Sequence, residues 1–150
     1  MPSPIETLLA IEDIRKLKAR YFRLMDTHDW QGFRDLFTDD ALFDVRGALE
    51  EEPDITGLEP IHGAEAITAY VCAGISPIRS AHHGHMPEID ILSDDHARGI
   101  WAFEDVLRPP AGDPFRIFYG YGHYHEAYRK AGGVWRIASL RITRLMVETA

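Results

Sequence analysis

The sequence predicts an α+β fold, a cone-shaped barrel in which N-terminal helices pack on a strongly curved, mostly antiparallel sheet. Two observations predict it. In the first third, Ile11, Ile14, Leu17, Tyr21, Leu24 and Met25 recur at spacings of three and four, the mark of one apolar helical face. From residue 79 onward the pattern changes to β-rich runs separated by Gly, Pro and Asp turn formers.

The first helix starts at Ser3, which has capping-box spacing to Glu6, with Pro4 at the first helical position, where its missing N–H costs nothing. It runs through about His28. Asp29 caps a second, shorter helix whose buried side is Trp30, Phe33, Leu36 and Phe37. A strand over 41–45 follows, then an acidic surface loop over 47–63 containing Glu50, Glu51, Glu52, Pro53 and Asp54. Residues 63–73 form a third helix, stopped by Gly74 and Pro77.

Four strands complete the chain, over 79–92, 97–107, 116–130 and 134–147. Their turns are Ser93-Asp94-Asp95-His96, a proline-rich loop over 108–114, and the tight Gly132-Gly133 hairpin. Pro87 marks an edge strand or a bulge. Strands of roughly 11 to 15 residues, twice the usual length, curl through their right-handed twist, most of all at Pro87, Gly120 and Gly122. Helices laid over the concave face enclose a pocket.

The 150 residues match one domain, over 1–150, large enough to bury a sizeable core. A net charge of −8 without basic clusters argues against nucleic acid and anionic membranes as partners. No run approaches the roughly 20 apolar residues of a membrane span. The only cysteine, Cys72, cannot form an internal disulfide and reads as a small buried apolar residue. With no basic and apolar leader at the N-terminus, the expected location is the cytoplasm. The expected partner is a hydrophobic small molecule, and the expected assembly a homo-oligomer, dimer or trimer.

His82 stands in the histidine-dense run Ser80-Ala81-His82-His83-Gly84-His85, and Asp26 closes the first helix. A histidine and an aspartate meeting in an apolar cavity make a proton-transfer pair, because the carboxylate fixes the imidazole's tautomer and stabilises its charged form. The expected cavity wall comprises Tyr21, Met25, Phe43, Trp101, Phe103 and Tyr124, the last a candidate to polarise a substrate oxygen through its hydroxyl.

The segment Tyr21 to Trp30 (YFRLMDTHDW), then Phe37-Thr38-Asp39-Asp40-Ala41, the histidine strand, and residues 122–137 (GHYHEAYRKAGGVWRI) resemble in order and spacing the SnoaL-like domain. That domain belongs to the nuclear transport factor 2-like superfamily, together with scytalone dehydratase, ketosteroid isomerase and bile-acid dehydratase relatives. The resemblance implies a lyase or isomerase that uses no metal and no cofactor, with Asp26 and His82 as its acid/base dyad. Such an enzyme acts on a ring-containing aromatic, polyketide, terpenoid or steroid intermediate. The pattern departs from scytalone dehydratase at Met25, where that enzyme has tyrosine, and near Leu107, where it has a second histidine.

Two other readings compete. The same fold serves as a non-catalytic binding or assembly module. His83 and His85, with His123 and His125, form two H-x-H pairs that could serve a cupin-like metal enzyme. Strand alternation sets His83 and His85 opposite His82 unless a bulge intervenes.

Overall fold

The computed structural model describes residues 1–48, 59–112 and 116–150. The long first helix, α1 (Pro4–Asp26), carries the reciprocal capping box: the Ser3 backbone N–H donates to Glu6 at 2.8 Å and the Glu6 N–H to the Ser3 hydroxyl at 3.3 Å. It stops two residues earlier than its apolar periodicity suggests. His28 takes a left-handed backbone (φ 60°), and the N–H groups of His28 and Asp29 turn back onto the carbonyls of Met25 and Leu24. This closure makes Asp26 the last helical residue.

Asp29 caps α2 (Trp30–Arg34) through the Gly32 N–H at 2.9 Å. Leu36 and Phe37 lie beyond this helix, not on its buried side. The Ile137 N–H binds the Leu36 carbonyl at 2.9 Å, and this pull into the sheet starts β1 (Phe37–Asp44) four residues earlier than expected. A short 3₁₀ turn (Arg46–Ala48), β2 (Ile61–His62) and α3 (Ala64–Ile75) follow. The acidic loop lies mostly outside the described residues.

The remaining strands are β3 (Arg79–Ile91), β4 (His96–Arg108), β5 (Phe118–Ala131) and β6 (Val134–Thr149). They pair as the antiparallel meander the turn residues imply. Gly132 and Gly133 make the last turn with φ of 58° and 78°, the left-handed pair a two-residue hairpin demands. Strand order is β2-β1-β6-β5-β4-β3, with β1 parallel to β6, so the sheet is mixed and does not close into a barrel. Pro87 marks both an edge and a bulge: β3 is outermost, and its register shifts between Gly84 and Pro87. Another shift, opposite Tyr121 and Gly122, leaves Leu145 as an extra residue and bends β6.

The core lies between the concave face and the helices. Ile14, Leu17, Tyr21 and Met25 of α1 share one buried cluster with Phe43, Phe103, Tyr124 and Ile142 of the sheet and with Ile67 and Val71 of α3. Lys18 is buried in this core. It is paired with Glu126, whose other oxygen accepts from Tyr128, and its ammonium lies 3.5 Å from the centre of the Tyr124 ring. Burial lowers the pKa of Lys18 to about 8, against the opposing pull of Glu126.

Cys72 is only half-buried, with its thiol 3.3 Å from the Ser76 hydroxyl, because its side of α3 faces outward. No described helix is long and apolar enough to cross a membrane.

Candidate functional site

Asp26 and His82 meet where the end of α1 crosses the start of β3. His82 Nδ1 lies 2.6 Å from Asp26 Oδ1, and the His82 backbone N–H donates to Oδ2 at 2.8 Å. The Ser80 hydroxyl adds a third bond, to Oδ1, at 2.8 Å. Because an ionised carboxylate only accepts, Nδ1 carries the proton and the lone pair of neutral His82 sits on Nε2. Partial burial pushes the Asp26 carboxyl upward. The bonds and charge of His82 and the Ser80 hydroxyl outweigh that and leave it below the ordinary carboxylate value. Phe22 stacks on the imidazole at an interplanar angle of 11°.

His82 opens onto a cavity of about 560 Å³ between α1, α3 and the concave sheet. Tyr21, Met25, Phe43 and Tyr124 line it, together with Val71, Ile75, Leu107 and Ile142. Burial raises the Tyr124 phenol well above its ordinary value, so it stays protonated.

Trp101 and Phe103 lie outside this cavity wall, contrary to the sequence reading. Alternation does turn both toward the concave face, but Trp101 sits farther along β4. There its indole N–H donates to the Tyr128 hydroxyl at 2.9 Å, and its ring borders a different depression, beside Phe22 and Pro87. Phe103 is covered by Tyr124, with ring centres 4.3 Å apart.

Two residues that the sequence reading did not single out complete the cavity. Asp105, register partner of His82, places Oδ2 3.8 Å from Nε2. Arg144 of β6 grips Asp105 through both terminal nitrogens, at 2.7 and 2.9 Å. Alternation carried a signal for each: Asp105 is two residues beyond Phe103, and Arg144 two beyond Ile142.

The other histidines lie elsewhere. His83 and His85 are half-exposed and approach Glu104 at 3.5 and 3.9 Å, while His123 and His125 sit on the face of β5 opposite Tyr124. Among the described residues no group of three or more His, Cys, Asp or Glu is placed to hold a metal ion.

An open, curved sheet under a long helix, with a polar cluster at the base of an apolar cavity, is the nuclear transport factor 2-like architecture. The chain matches the SnoaL-like domain over residues 6–141 and belongs to that family. Among its relatives is a Gibberella zeae protein named as a cyclase, FGR4. It is 26% identical over 140 residues, covering 88% of this chain and 89% of the relative. Two solved structures share the fold. One is a Novosphingobium aromaticivorans protein named for scytalone dehydratase, with a TM-score of 0.83 at 17% identity, covering 99% of this chain and 92% of the other. The second, the type-3 hexachlorocyclohexane dehydrochlorinase of Novosphingobium barchaimii, has a TM-score of 0.80 at 17% identity, covering 99% and 94%.

Proposed function

We propose that the chain is a lyase of the dehydratase type, acting on a hydrophobic ring-containing small molecule with His82 as proton-transfer group and Asp26 as its positioning residue. The observation that carries this reading is the hydrogen bonding of His82: Nδ1 is locked on Asp26, while Nε2, 3.8 Å from Asp105, opens onto a mostly apolar cavity large enough for a fused-ring ligand.

In the proposed step, Nε2 takes a proton from the carbon next to a carbonyl or a phenol-conjugated position. The C–H electron pair becomes the new C=C bond as the neighbouring C–O bond breaks. The Nε2–H then passes its proton to the departing oxygen, so water leaves and His82 returns to the neutral form. Asp26 stabilises the intervening imidazolium. The protonated Tyr124 hydroxyl, on the cavity wall, is the proposed donor to the carbonyl oxygen as enolate-like charge develops there. Names of a cyclase, a dehydratase and a dehydrochlorinase among the relatives support chemistry of this class. The step itself calls on no metal or cofactor.

The ligand-free test is the ¹⁵N spectrum of the His82 ring. A single tautomer with the proton on Nδ1, lost in Asp26→Asn, is the expected result. A mixed tautomer in the unaltered protein would remove the base from this mechanism.

A further inference from the structure

His82 has a carboxylate on each side. Asp26 binds Nδ1, whereas Asp105 faces Nε2 with Oδ2 3.8 Å away, beyond direct hydrogen-bonding range. This second carboxylate is held in place by its surroundings. Arg144 binds both its oxygens, the guanidinium carbon lies 5.1 and 5.5 Å from the ring centres of Phe103 and Phe118, and the pair rests on the backbone of Gly120. A Cβ at Gly120 would lie 2.1 Å from Arg144 Nη1 and 2.2 Å from Asp105 Oδ1, so only glycine leaves room for them. The side chains of Asp105 and Arg144 are 4% and 9% exposed. A buried charge fixed this firmly beside Nε2 constrains what can bind there.

We propose that Asp105 makes the cavity selective for ligands bearing a hydroxyl group, whose oxygen sits between His82 Nε2 and Asp105 Oδ2. An oxygen about 2.8 Å from both atoms fits their separation, set off the line that joins them. When His82 is protonated, the hydroxyl accepts from Nε2–H and donates to Asp105. When it is neutral, two acceptors converge and the hydroxyl supplies the proton to one of them. A halogen or a carbonyl oxygen has no proton to give and faces a buried negative charge, and a carboxylate adds a like charge. The inference rests on the dyad reading above and deepens it: the leaving group at this site is a hydroxyl, and Asp105 is the specificity-determining residue.

The test uses three ligands of one shape, 2-naphthol, 2-chloronaphthalene and 2-naphthoate, titrated calorimetrically into the full chain. The expected order is naphthol tighter than chloronaphthalene by about tenfold, with naphthoate weakest. Asp105→Asn, whose amide can itself donate, should bring naphthol and chloronaphthalene to within about twofold of each other. Equal binding of those two by the unaltered protein, an undiminished preference in Asp105→Asn, or no binding of any of the three overturns the proposal. If Asp105→Asn fails to fold, the comparison in the unaltered protein decides alone. The ¹⁵N tautomer of His82 needs no ligand, so failure of the dyad reading is seen separately.

Discussion

Asp26 holds His82 twice, taking the ring Nδ1 on one carboxylate oxygen and the backbone N–H on the other. The second bond fixes where β3 starts relative to the end of α1, and the first fixes the ring. One side chain thus sets both the position and the tautomer of the proposed base.

Replacement of His82 by Ala or Gln is expected to lower turnover by roughly two to four orders of magnitude with the fold retained. Asp26→Asn is also expected to be severe. The double variant should cost little more than either single change, because the two side chains act as a unit. Steady-state kinetics on the four proteins check this, and additive losses would mean that they work independently. His123→Ala, on the opposite sheet face, should be nearly neutral.

The Asp26 carboxyl lies below its ordinary value, so folding favours its ionised form. The sign follows. Its contribution to stability is complete above the unfolded carboxyl value and is lost as pH falls through the lower folded one. Urea midpoints measured down the acid limb should therefore fall more steeply for the unaltered protein than for Asp26→Asn.

Lys18 and Glu126 are an ion pair with side chains wholly removed from solvent. Lys18→Met leaves Glu126 a buried charge with only the Tyr128 hydroxyl for company, a loss of about 3–5 kcal/mol. Lys18→Met combined with Glu126→Leu should recover part of that loss, since the desolvated charges disappear together. Denaturant unfolding reads both, and a double variant no more stable than Lys18→Met would contradict the cost assigned to the unpaired Glu126 charge.

Gly120→Ala is the smallest change that should displace the Asp105–Arg144 pair, because its methyl falls on both side chains. Overpacking of this kind costs about 1–3 kcal/mol. A thermal melt unchanged from the unaltered protein would contradict the close approach.

Helical and strand periodicity made the elements legible, and the capping residues Ser3 and Asp29 located two helix starts to the residue. The open edge was not legible in full. Phe37 reads equally well as helix or strand, and only the bond from Ile137, a hundred residues away, decides it. The approach of Asp26 to His82 could be reached from the family pattern, whereas the wall was reached only in part. Alternation says which face Trp101 and Phe103 occupy but not how far along β4 the cavity extends. Asp105 and Arg144 were passed over for a physical reason: charged residues in strands usually point to solvent, and the pairing that lets both turn inward is visible only when β4 and β6 are seen across Gly120.

The parallel contact between β1 and β6 has a bearing on how the chain assembles. In the order β2-β1-β6-β5-β4-β3, β6, which follows the other strands of the sheet in sequence, occupies an interior place, with β1 as its neighbour on one side and β5 on the other. Residues 37–44 meet β2 early but must wait for about ninety later residues before their parallel partner β6 exists. A nascent chain halted before Val134 would carry two unsatisfied strand edges, on β1 and on β5, together with an uncovered apolar face. Loss of the final strand would thus divide the sheet in two, where loss of the outermost β3 would only narrow it.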